Sequence, residues 1–322
     1  MKKRKLIPLS LLIITTIPLL GTLFFMLNNE APITKGDIEY NLTYSKGKTL
    51  DIYFPTQSKY KKSPVLLYLH GGAWITGRKE ALNLNRFNTA FNTLRAEGYT
   101  IISPEYTLAD GGSPFPNCII DGFTAIEWIT NHADSLNLDL NNFGIMGESA
   151  GSHIAMMNAF ASPSDFDLLY KKGTLDYLIN IYGPNDLKHL YHSQTVDSLT
   201  SLIENLPPTL QEYVNLPHIL FGFNPKKDSL KMVNFTNRYS PLHYVSKTSS
   251  LPTLMIHGTT DRVVPFEQSV HLKAKLDDLN MPNKLYVLPE VDHAFFGASE
   301  IQKDSIQTWV SQFILQEYNT SK

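Results

Sequence analysis

Cysteine is almost missing from this sequence: there is one residue in 322, Cys118. A single thiol excludes an intramolecular disulfide, so the fold has no oxidative staple and must rely on its core. Charge is also sparse, at 18% of residues, and neither sign dominates, the formal net charge being -2. Setting aside Lys2, Lys3, Arg4 and Lys5 leaves 24 basic against 30 acidic residues. That balance excludes nucleic acid as an electrostatically recruited partner. No internal repeat or low-complexity tract occurs. Nor is there a glycine-rich phosphate loop or dinucleotide fingerprint, so no nucleotide cofactor is expected. His189 and His192 have the spacing of one helix face, but no third ligand accompanies them and no metal is expected.

What the chain does have is apolar material, 43% of its residues, in a length that suits one large α/β domain. Part of that material is set apart at the N-terminus. Four basic residues precede an uncharged, mostly apolar stretch from Leu6 to Leu27, which ends at Asn28-Asn29-Glu30. About twenty residues match a membrane span better than the shorter core of a signal peptide, and no Ala-x-Ala-like cleavage site follows. Residues 1–28 are expected to be an uncleaved signal anchor, with a cleaved signal peptide as the alternative. Because basic flanks stay in the cytoplasm, residues 29–322 are expected to lie outside it, membrane-anchored or, if cleaved, secreted.

After the anchor, Ile38 to Tyr44 alternates, turns at Ser45 to Lys48, and resumes from Thr49 to Phe54, the pattern of an antiparallel hairpin. Six short continuous apolar runs follow: Val65–Leu69, Tyr99–Ile102, Phe143–Met146, Leu178–Tyr182, Thr253–Ile256 and Leu285–Leu288. Unbroken runs of that length suit strands buried on both faces of a parallel sheet. Helical patterns lie between and after them, at Leu82–Ala96, Ile119–His132, Ala150–Phe160, Phe266–Leu279 and Ile301–Gln316. The expected fold is therefore α/β, a mostly parallel eight-stranded sheet with helices on both faces. From Leu187 to Ser249 no strand pattern appears and five prolines intervene, which reads as a small helical insertion, a candidate lid.

The chemistry centres on Gly147-Glu148-Ser149-Ala150-Gly151. This Gly-x-Ser-x-Gly pattern follows a buried run and opens a helix, the context a nucleophile elbow requires. Its glycines are needed because backbones approach closely in so sharp a turn, and the helix N-terminus aims its positive end at Ser149. A serine hydroxyl needs a base, and the base needs an orienting carboxylate. With such an elbow the chain order runs nucleophile, acid, histidine. His293, in the loop after the last apolar run, is the candidate base. Asp261 lies just past the C-terminal end of Thr253–Ile256, where open parallel sheets build their sites, with Asp186 in reserve. Donors for an oxyanion are expected from His70-Gly71-Gly72-Ala73-Trp74 after Val65–Leu69: Gly71, Gly72 and Ala73, joined by Ala150 from the elbow. His70 and Trp74 are candidates for contact with substrate.

These motifs, with Pro114-Phe115-Pro116 ahead of Asp121 and Trp128, and Ser152-His153 after the elbow, give the chain its resemblance. It resembles α/β-hydrolase carboxylesterases related to hormone-sensitive lipase and to bacterial feruloyl and acetyl-xylan esterases. The resemblance spans nearly everything after Asn28. It implies hydrolysis of small or polysaccharide-linked carboxylic esters through an acyl-enzyme, without metal or cofactor. The chain departs from the hormone-sensitive-lipase pattern in having Glu148 where aspartate is usual, Ser152 where glycine is usual, and Thr107 where arginine is usual. Two other readings stay open. Peptidases and formamidases share the triad and the His-Gly-Gly loop, although only about 294 residues follow the anchor and such peptidases usually carry a large extra domain. A catalytically inactive, membrane-tethered binding protein would be expected to lack a triad member, and all three are present.

Overall fold

The structure is a computed structural model that describes residues 35–320 apart from 85, 111, 171–172, 194–195, 197–200, 202–204 and 206–215. The expected anchor, residues 1–28, and part of the expected insertion lie outside the described residues. Among the described residues, no helix is long and apolar enough to cross a membrane.

Eight strands form one sheet: β1 (Ile38–Ser45), β2 (Lys48–Tyr53), β3 (Ser63–Leu69), β4 (Thr100–Pro104), β5 (Leu138–Glu148), β6 (Tyr177–Ile181), β7 (Thr253–Gly258) and β8 (Asn283–Leu288). Their order across the sheet is β1-β2-β4-β3-β5-β6-β7-β8. Pairing is antiparallel from β1 to β2 and from β2 to β4, and parallel throughout the rest. The α/β expectation holds: among the described residues a hairpin comes first and six further strands follow, one at each of the apolar runs.

Helices cover both faces because successive strand side chains point to opposite sides. Along β3, Val65, Leu67 and Leu69 join one core with α2 (Asn117–His132), α3 (Ala150–Phe160) and α7 (Glu267–Asp278). Leu66 and Tyr68 join the other core, with α1 (Asn88–Ala96) and α8 (Glu300–Thr320). All seven β3 residues are buried, which explains why its sequence shows no alternation.

One element differs from expectation. The pattern at Leu82–Ala96 suggested a single helix, but the structure has a 3-10 helix at Lys79–Leu84 and α1 beginning only at Asn88. The polar side chains at the break compete with helical bonding: Asn88 Nδ2 donates to the Asn83 carbonyl, and Asn83 Nδ2 to the Tyr53 hydroxyl. Within 187–249 the described residues form α4 (Leu187–Tyr191), α5 (Leu216–Phe221) and α6 (Ser229–Tyr239), with short 3-10 turns at Pro241–His243 and Lys247–Ser249. Phe235 and Tyr239 of α6 pack on Phe115, and the Tyr239 carbonyl meets His153 Nε2, so α6 lies over the start of α2 and α3.

Candidate active site

The register aligns the C-terminal ends of the central strands. Leu69 of β3 pairs with Gly147 of β5, and Glu148 with Ile181 of β6. The residues singled out in the sequence leave the sheet at this common edge, on four different loops.

The elbow is shaped by contacts that leave no room for side chains. Ser149 has φ 51° and ψ -117°, outside the comfortable region for a non-glycine residue, a strain of about 1–3 kcal/mol by general experience. Its amide donates to the Ile181 carbonyl at 2.9 Å, tying the turn to β6. A Cβ on Gly147 would overlap the Gly151 carbonyl, and a Cβ on Gly151 would overlap the carbonyls of Leu69 and His70. Every residue of α3 is buried. The Ser152 hydroxyl, standing where glycine is usual, donates to the Gly147 carbonyl and accepts the Ile181 amide at 2.8 Å, bracing the turn from below.

From Ser149 a line of hydrogen bonds runs outward. Ser149 Oγ lies 3.1 Å from His293 Nε2, and His293 Nδ1 lies 2.7 Å from Asp261 Oδ2. With Nδ1–H donated to the carboxylate, Nε2 is left to accept the serine proton. The Asp261 side chain is 1% exposed, while that of His293 is 18% exposed. Burial by itself would raise the Asp261 carboxyl, but hydrogen bonds from His257 and His293 outweigh it and hold the group well below the usual carboxylate range. The acid and histidine loops are also joined to each other. Asp292 accepts the Arg262 amide at 2.9 Å, its guanidinium Nε at 2.7 Å, and the His293 amide at 2.7 Å. Asp186, the reserve acid, instead caps α4 by accepting the amides of Lys188 and His189.

The His-Gly-Gly loop lies alongside. Gly72 has φ +128°, and Ala73 and Trp74 have φ 53° and 59°. The carbonyl of Gly72 takes the amides of Ile75 and Thr76. By contrast, the amides of Gly71, Gly72, Ala73 and Ala150 have no protein acceptor among the described residues. His70 is not available to a ligand, being 1% exposed. Its ring stacks on Tyr106 at 4.2 Å with Nδ1 directed at the Gly71 carbonyl, and burial lowers its pKa to about 4, so it holds the loop as a neutral imidazole. The expectation that His70 contacts substrate is corrected accordingly. Trp74 is 7% exposed and packs against Phe115 and His153.

Sequence reasoning missed the layer beneath the triad. Glu148 accepts hydroxyl hydrogens from Tyr68 and Tyr182, and Arg86 Nη1 donates to the Tyr182 hydroxyl at 2.8 Å. Burial pushes both tyrosines well above their ordinary pKa, so they remain neutral donors. The Tyr182 ring lies 4.8 Å from that of His293. The only signal was Glu148 in place of aspartate, one methylene longer and so able to span two hydroxyls. Nothing in sequence pointed to its partners, 34 and 80 residues away.

The comparisons agree with this architecture. Esterase LipC of Mycobacterium tuberculosis is 26% identical over 76% of this chain, which spans 56% of LipC, little more than half its length. Ethyl acetate hydrolase of Pseudomonas putida is 25% identical, covering 83% of this chain and 78% of its own. Among solved structures, a truncated carbohydrate esterase from gut microbiota superimposes with a TM-score of 0.66 at 20% identity, over 89% of this chain and all of that one. The hyperthermophilic esterase of Pyrobaculum calidifontis gives 0.65 at 19% identity, over 96% and 93% of the two chains. The BD-FAE family model matches residues 50–276, from β2 through most of α7. The chain therefore belongs to the BD-FAE family and has the α/β-hydrolase architecture of the carboxylesterases it resembles.

Proposed function

We propose that this protein is a serine carboxylesterase that hydrolyses small or short-chain carboxylic esters through an acyl-enzyme. The observation that carries the reading is the line Ser149 Oγ, His293, Asp261 running at hydrogen-bond distance, with four amides of the His-Gly-Gly loop and the elbow that have no acceptor among the described residues. In this mechanism Ser149 Oγ attacks the ester carbonyl as His293 Nε2 takes its proton. The oxyanion is received by the amides of Gly72 and Ala150, flanked by those of Gly71 and Ala73; a single such donor is worth about 3 kcal/mol of barrier. The tetrahedral adduct then collapses, and the alcohol leaves with the proton held by His293. Water, deprotonated by the same imidazole, frees the acid and restores Ser149. Asp261 keeps its charge throughout and holds the imidazole tautomer.

Relatives named as esterases and as an ethyl acetate hydrolase support a small acyl group. In the proposed arrangement residues 29–322 are the catalytic domain and 187–249 form a lid-like wall over it. Residues 1–28 are its signal anchor or signal peptide, and the site faces away from the cytoplasm. A panel of nitrophenyl esters from acetyl to long acyl, run beside acetylated sugars and an aminoacyl anilide, tests the substrate class. The expected result is highest kcat/KM on acetyl to butyryl esters and no anilide cleavage. Preferential cleavage of the anilide would move the protein to the amidases.

A further inference from the structure

The Asp261 carboxylate has two oxygens and about four lone-pair directions, and four donors occupy them. Oδ1 accepts the amides of Val263 and Val264, at 2.9 and 2.8 Å. Oδ2 accepts His293 Nδ1 at 2.7 Å and, from a second histidine, His257 Nε2 at 3.2 Å. His257 stands near the end of β7, four residues before Asp261, and its side chain is fully buried.

The protonation of this second ring follows from its neighbours. His257 Nε2 faces two groups that can only accept, the Asp261 carboxylate and the Val264 carbonyl at 2.9 Å, so Nε2 carries the hydrogen. Its Nδ1 lies 2.7 Å from the Ser269 hydroxyl on α7, which can donate to it and fix both tautomer and ring rotation. A buried imidazole is costly unless both its nitrogens are bonded, and here both are.

We infer that His257 is a positioning residue for the triad, a second histidine on Asp261 Oδ2 that sets the plane of the carboxylate on which His293 turns. The inference rests on the Ser149–His293–Asp261 reading proposed above. Two amides on Oδ1 fix one oxygen but leave the other free to pivot about it. The His257 N–H, anchored through Ser269 to α7, removes that freedom. It also draws part of the carboxylate's charge away from His293. A role confined to stapling β7 to α7 would use only the Ser269 bond, and Asp261 would not notice its loss.

The test uses the full chain with nitrophenyl acetate, in three variants: His257→Leu, which removes both nitrogens, His257→Gln, which can return an N–H close to the Nε2 position, and Ser269→Ala. Fluorophosphonate labelling of Ser149 in the unaltered protein is the control. With His257→Leu, kcat is expected to fall about 10- to 100-fold with KM within about twofold, short of the ~10⁴-fold loss that a wrong histidine tautomer brings. His257→Gln should recover to within about fivefold of the unaltered protein and Ser269→Ala should lose about threefold, since each leaves a donor on Oδ2. Equal losses in the Leu and Gln variants, or an unchanged kcat in His257→Leu, would overturn the inference. Should the Leu variant not fold, the other two decide: Gln close to the unaltered protein with Ser269→Ala below it supports the positioning role, and Ser269→Ala with unaltered kcat overturns it. An unaltered protein that takes no label at Ser149 refutes the triad reading itself, a result distinct from failure of the His257 variants in a protein that labels normally.

Discussion

The elbow that carries Ser149 and the loops that carry Asp261 and His293 meet at one line of hydrogen bonds but are held in different ways. At the elbow the backbone does the holding. Gly147 and Gly151 permit contacts that no Cβ would allow, and the Ser149 amide bonds directly to β6. On the acid and histidine loops, side chains take a larger part. Asp261 is gripped by two amides and two histidines, and Asp292 ties Arg262 to the His293 amide. A backbone-built turn fails abruptly when sterics change. A side-chain network fails by degrees, one bond at a time.

Substitutions on the two sides sharpen this contrast. The largest effect is expected from Gly151→Ala, because the added methyl meets the carbonyls of Leu69 and His70 and pushes α3 off the strand. A displacement near 1 Å of the nucleophile costs about 100-fold in kcat/KM, to be read with nitrophenyl acetate alongside a lowered melting temperature. Activity near that of the unaltered protein would show that the elbow is not backbone-limited. The His257 series comes next, with its graded losses. Arg262→Gln should do least: the Arg262 side chain is 82% exposed, and an exposed pair contributes little, so kcat should stay within about threefold, with the remaining difference shrinking further in high salt. A loss as large as that of His257→Leu would mean that the loop-to-loop tie, rather than the grip on the carboxylate, sets the geometry.

Legibility in the sequence divides along the same line. The elbow and the His-Gly-Gly loop could be read because each is specified within about five consecutive residues by a backbone requirement, and His293 because chain order and its loop after the last apolar run single it out. The strands β3, β4, β6 and β7 were legible because burial on both faces leaves continuous apolar runs, whereas the edge strand β8 shows such a run although only Leu288 of it is buried. The grip on Asp261 was not, since Ser269 is only one of many serines and His257 sits in a strand-end His-Gly pair with no local pattern tying it to Asp261. The Tyr68–Glu148–Tyr182–Arg86 layer joins residues from β3, β5, the loop after β6 and the approach to α1, and no local pattern links them. His70 misled for a related reason. Its place in the motif suggested a surface, but stacking on Tyr106 turned the ring into the core. The division of the Leu82–Ala96 pattern was invisible because apolar spacing does not report which asparagine side chains bond to the backbone.

The central claim is that Ser149 is the nucleophile. Incubation with a fluorophosphonate, followed by peptide mass spectrometry and repeated on Ser149→Ala with its fold checked by circular dichroism, tests it most directly. The account predicts one adduct per chain, on the peptide that contains Ser149, and none in the folded variant. Undiminished labelling of Ser149→Ala, or an adduct on another residue of the unaltered protein, would contradict it.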